Sequence, residues 1–161
     1  MKSRIILFLA LTGILFVSCE GRTGYLDDGQ LSTVSLLTDS EWLMSYADYS
    51  YGSEVFFDDD TQIYGFEKTG KGWFAKGSFL DSSKKENVTN FHWTFTTENF
   101  AVIYLTGSAG EGYWEEYWLI EKLTPDELWV QEAPHDPVLY PNQDKRHYRF
   151  KARRFQDKTA F

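Results

Sequence analysis

Glu115 and Glu116 lie between Trp114 and Trp118, and paired acids beside aromatic rings are the residue types with which glycosidases cleave sugars. Such a pair works only if both side chains enter one cleft. On a strand adjacent residues point to opposite faces, so the two acids read as solvated charge. Asp58, Asp59 and Asp60 offer the oxygen ligands that calcium prefers, but three consecutive acids lack the spacing of a dedicated loop, and a hairpin turn is expected there. His92, His135 and His147 are the only histidines; none has a partner at metal-ligand spacing. His135 with Asp136, between Pro134 and Pro137, reads as a loop. No nucleophile elbow, zinc motif or phosphate loop occurs in the chain. The expectation is a protein that is not an enzyme and holds no metal or cofactor.

The density of rings carries more information. Six tryptophans, ten tyrosines and thirteen phenylalanines make up 18% of the chain, and aromatic faces line apolar cavities or stack on sugar rings. Barrel cores need large side chains in any case. Trp114 and Trp118, four residues apart, share one face of a strand. With Trp73 and Trp93 they are the candidate ligand-binding residues.

The elements that must position these side chains follow from apolar residues recurring with period two. Phe91, Trp93 and Phe95 alternate with His92, Thr94 and Thr96, and Tyr148, Phe150 and Ala152 alternate with His147, Arg149, Lys151 and Arg153. Further strand candidates are Trp42 to Tyr49, Ser53 to Phe57, Thr61 to Glu67, Trp73 to Phe79, Phe100 to Thr106, Tyr113 to Leu123 and Glu127 to Ala133. Turn residues separate them, among them Gly70 to Gly72, Glu98 with Asn99, Gly107 to Gly112 and Thr124 to Asp126. Short links favour antiparallel neighbours, because parallel ones need crossovers of about a dozen residues or more, and no room is left for a helix of ordinary length. A meander of eight or nine strands removes its exposed edges by closing. The predicted fold is all-β: an antiparallel up-and-down barrel, wide enough at about eight strands to hold one small ligand.

At the other end of the chain, Lys2 and Arg4 precede an uncharged apolar run from Ile5 to Val17. It is shorter than the roughly 20 residues a membrane span requires and reads as a secretory signal peptide. The run ends at Leu15, Phe16, Val17 and Ser18, with the only cysteine, Cys19, directly after it. This resembles a bacterial lipobox, which implies cleavage before Cys19 and lipidation of that residue by diacylglyceryl and acyl chains such as palmitate. Loss of Lys2 and Arg4 takes the net charge from −8 to −10. An acidic domain of this kind is no nucleic-acid binder. Several acyl chains make membrane attachment durable where one alone binds marginally. The segments are a signal peptide (1–18), a flexible polar tether (19–35), the barrel (36–155) and a disordered tail (156–161).

Trp42, the acidic turn from Phe57 to Thr61, the Phe91 to Phe95 strand and the run Ile120 to Leu128 together resemble the small bacterial lipocalin-like lipoproteins. That resemblance implies a lipocalin-like calyx anchored in the Gram-negative cell envelope, and Glu20 after the cysteine points to the outer membrane. Seven basic residues against one acid between Lys145 and Lys158 concentrate positive charge on the last strand, where Glu115 or Glu121 is expected to pair with it. The function expected is binding of a small hydrophobic or aromatic-stacking ligand in the barrel by a monomer. The alternative is a filled barrel whose surface docks a protein or glycan partner.

Overall fold

The computed structural model of the chain describes residues 28–49, 53–56, 62–76, 88–109 and 112–154. Cys19 with the leader, the first part of the tether, the Asp58 to Asp60 turn and the tail lie outside the described residues. Among the described residues the elements are a helix α1 (Asp28–Thr38) and nine strands: β1 (Ser40–Tyr49), β2 (Ser53–Phe56), β3 (Gln62–Phe66), β4 (Lys71–Lys76), β5 (Val88–Phe95), β6 (Val102–Ala109), β7 (Gly112–Leu123), β8 (Glu127–Ala133) and β9 (Arg146–Arg154).

Every strand pairing is antiparallel, and β9 returns to β1, with Met44 opposite Phe150 and Ser40 opposite Arg154. One edge of β1 is shared: Glu41 to Leu43 pair with β3, and Tyr46 to Tyr49 pair with β2. Eight strands therefore close an up-and-down barrel, and β2 extends one hairpin beside it. The predicted fold class is the observed one.

Closure depends on rings lying over glycines. Along one inward row Gly72, Phe91, Gly107 and Trp114 are register partners from strand to strand. A Cβ at Gly72 would stand 2.3 Å from the Phe91 ring, and one at Gly107 would stand 3.0 Å from the Trp114 ring. Alternating large and absent side chains lets neighbouring strands carry bulky residues on the concave face without collision. The tight turn from β5 to β6 holds Phe100 at a φ of 55°, a left-handed conformation costly for a non-glycine residue. Stacking of its ring on Phe95 at 4.3 Å and hydrogen bonds from the Ala101 amide to Thr97 Oγ1 and Asn99 Oδ1 hold it there.

The helix departs from the expected spacer. Residues 28–38 are helical, and Leu37 and Thr38 are buried. The Trp42 indole donates to the Leu37 carbonyl at 2.8 Å, occupying one of the acceptors that a helix C-terminus leaves free. Gln30 Nε2 donates to the Glu98 carbonyl at 2.8 Å, tying the first turn to the link between β5 and β6. The helix closes the barrel end where β3 meets β4 and β5 meets β6. It has no apolar stripe of period 3.6, because only its last turn enters the core, and Ser, Thr and Val are weak helix formers. The folded body therefore includes Asp28 to Ser35, which the sequence assigns to the tether.

Candidate functional site

Alternation on β7 sends Trp114, Glu116 and Trp118 into the barrel and Tyr113, Glu115 and Tyr117 outward. Trp118 is fully buried. Its ring stacks on Phe150 at 5.3 Å and meets the edges of Tyr64 at 5.2 Å and Phe66 at 6.0 Å. At this level the barrel is filled with rings, and Trp118 forms a floor. Trp93 lies below it, towards α1, and its Nε1 donates to the carbonyls of Glu67 and Lys71 at 3.1 and 2.9 Å. That indole is an internal fastener of the turn between β3 and β4.

Trp114 lies on the opposite side of the floor from α1. Its ring contacts Phe74 and Phe91 at 6.1 and 6.2 Å, while its Nε1 is buried and has no hydrogen-bond acceptor. A buried N–H without an acceptor costs roughly 1 to 3 kcal/mol. Trp73 is not part of this lumen. Gly72 and Phe74 on either side of it face inward, so Trp73 faces out and covers Gly65, where a Cβ would meet its ring at 2.4 Å. Of the four candidate tryptophans the structure brings Trp93, Trp114 and Trp118 to one interior, Trp118 fully buried and Trp114 partly so.

Glu115 and Glu116 point to opposite sides, as strand geometry requires, but Glu116 is more than solvated charge. Its Oε1 accepts from Trp118 Nε1 at 3.0 Å. Nearby, the Tyr148 hydroxyl donates to Glu132 Oε2 at 3.3 Å, and Arg146 Nε stands 3.6 Å from the same oxygen. Burial, reinforced by the Glu132 carboxylate, pushes the Tyr148 phenol well above its ordinary range. The barrel interior remote from α1 thus gathers the rings of Phe74, Trp114, Trp118 and Tyr148 with the carboxylates of Glu116 and Glu132. Phe74, Glu132 and Tyr64 were not singled out as site residues in the sequence. The two-residue spacing of Tyr64 and Phe66 is the signal that marks Tyr64 as inward, whereas Gly72, Trp73 and Phe74 carry no clear alternation.

Outside, the basic strand is occupied by its own wall. Arg149 lies over Tyr46 at 4.8 Å and over Trp129 at 4.6 Å, and Lys122 covers Trp129 at 4.5 Å. His147 Nδ1 approaches Glu121 Oε2 at 3.5 Å, the expected pairing. Glu115 instead accepts from the Tyr104 hydroxyl at 2.7 Å, because β6 and not β9 is its neighbour. Lys122 also pairs with Glu127, which holds the Glu127 carboxyl below the usual range. Among the described residues no three metal-ligating side chains come together.

No protein-family model, no curated protein and no solved structure matches this chain.

Proposed function

We propose that the protein is a lipocalin-like lipoprotein, anchored through lipidated Cys19 in the cell envelope, that binds one small hydrophobic or aromatic-stacking molecule at the barrel end remote from α1. The observation that carries the binding reading is the buried Trp114 Nε1 with no acceptor, set in a wall of rings. Stacked rings at Trp118 limit the ligand to the upper part of the barrel. The molecule that fits has an apolar or aromatic body and a hydrogen-bond acceptor aimed at Trp114.

Titration of the full-length protein with a fatty acid, a bile acid and haem, followed by tryptophan fluorescence, tests this. A saturable change is expected with at least one of them. Trp114→Phe keeps the ring and removes the donor, and weakens that ligand by about fivefold, the equivalent of about 1 kcal/mol for one hydrogen bond. No saturable change with any probe sinks the lumen reading. Separately, Cys19→Ser is expected to release the protein from the membrane fraction, and a variant that stays membrane-bound sinks the anchor.

A further inference from the structure

The outer wall holds a second concavity that the lumen reading does not use. It lies across β4, β5, β6 and β7 and encloses about 710 Å³, within the size range of small-molecule sites. Register explains its make-up. Lys71, His92, Thr106 and Glu115 are partners from strand to strand, and Ser108 faces Tyr113 in the next outward row. Inward-facing Phe91 and Gly107 separate these rows.

Three properties of the groove define its ligand. First, Tyr113 is the wall, and the residue is 69% exposed yet its side chain is fixed at its tip. Thr106 Oγ1 donates to its hydroxyl, Tyr104 lies in hydrogen-bond range of it at 3.3 Å, and Tyr104 is itself held by Glu115. An exposed ring that is already ordered gives a stacking face at little further entropy cost. Second, polar side chains stand beside apolar surface in the lining. The side chains of Asn90, His92 and Ser108 make no hydrogen bond to any described group, so an amide, an imidazole and a hydroxyl offer both donors and acceptors. Third, the charges offset: Lys71 lies on the rim with Glu67, and Glu115 lies beside Tyr113. An anion meets one lysine among acids, and a cation meets that lysine.

We propose that this groove binds a neutral sugar chain, with one pyranose face on Tyr113 and its hydroxyls on Asn90, His92 and Ser108. Sugars combine an apolar face with a rim of hydroxyls that both donate and accept, which is the complement of this surface.

The test uses full-length protein in a detergent without a sugar headgroup and three neutral probes: cellotriose, maltotriose and triacetylchitotriose. Calorimetry is expected to give saturable binding of at least one. Tyr113→Ala weakens it by about tenfold, the equivalent of about 1.4 kcal/mol, Asn90→Ala weakens it too, and Tyr113→Phe, which keeps the ring, retains most of it. Trp114→Phe leaves it unchanged, which separates this groove from the lumen. The proposal is overturned if none of the three binds, if Tyr113→Ala binds as well as the parent, or if trigalacturonate, a charged trisaccharide, binds more tightly than all three.

Discussion

Gly72→Ala adds one methyl group to the barrel's concave face, and the structure fixes what it meets. The new Cβ would stand 2.3 and 2.4 Å from two carbons of the Phe91 ring and 2.8 Å from the Gly65 carbonyl oxygen. Ordinary contacts between such atoms lie about 1 Å further out. The ring has no room to swing, since Phe91 is buried and meets Phe66, Phe74 and Trp114 at 5.5, 6.5 and 6.2 Å. The carbonyl belongs to the backbone of β3. Overpacking of this kind costs about 1 to 3 kcal/mol, and with both obstacles held the upper end applies, offset by about 0.4 to 1 kcal/mol from the stiffer unfolded chain. The net expectation is a loss of about 2 kcal/mol, a fall of about 1 M in the urea midpoint for a slope near 2 kcal/mol per M. Gly107→Ala is the internal control. Its nearest atoms are 3.0 Å away, in the Asn90 carbonyl and the partly exposed Trp114 ring, so it costs less. In a Phe91→Leu background the ring obstacle is reduced and the carbonyl remains, so Gly72→Ala becomes milder without becoming neutral. Urea unfolding followed by tryptophan fluorescence measures the parent and all four variants. A Gly72→Ala variant within about 0.5 kcal/mol of the parent, the scatter of harmless substitutions, or a cost unaltered by Phe91→Leu, refutes the claim that rings over glycines set the wall.

Two further outcomes follow from the outer face and from the upper barrel. Arg149→Ala removes the guanidinium between Tyr46 and Trp129 and is expected to cost about 1 to 2 kcal/mol, with Arg149→Lys retaining part of it; equal stability of Arg149→Ala and parent in chemical unfolding contradicts the stacking account. At alkaline pH the Tyr148 phenol keeps its proton in the folded protein, while the unfolded chain releases it near pH 10. The folded state then binds more protons, so stability is intact below about pH 10 and falls as pH rises above it, by up to about 1.4 kcal/mol per pH unit for this one group. Tyr148→Phe is expected to flatten that decline, and identical slopes between pH 9 and 11 rule out Tyr148 as its source.

Strand burial was legible in the sequence, and helix α1 was not. Phe91, Trp93 and Phe95 read as inward because each is flanked by polar residues, and their burial agrees. The same rule predicts that Glu115 and Glu116 part company. It does not say how a ring lies once inside: Trp93 is pinned by carbonyls of a turn, Trp118 is stacked into a floor, and Trp114 alone leaves its N–H unsatisfied. Those differences depend on height along the barrel axis, which is set by register, and register follows from pairings between strands distant in the chain. Trp73 shows a second limit. A lone tryptophan between a glycine and a phenylalanine carries little alternation, and its outward placement is explained only by Gly65 on the neighbouring strand. The helix escaped notice because its burial is at one tip, through Leu37, and a single buried turn leaves no period to read.

Alternation along β7 separates the two proposed sites. Neighbours on β7 serve opposite sides of one wall: Tyr113 stands over the outer groove, and Trp114 lines the interior. The Gly107 backbone lies under Trp114 on the inside, and its sequence neighbours Thr106 and Ser108 face the groove. A change of side chain at Tyr113 therefore reaches the lumen only by moving the strand itself. The β6 and β7 pairing resists that movement, with continuous register from Val102 opposite Leu119 to Ala109 opposite Gly112 and with the Tyr104, Tyr113 and Glu115 contacts laid across the outside. Occupancy of one side is then expected to leave affinity on the other unchanged, since a ligand shifts a second site only through a structural element whose equilibrium both can bias.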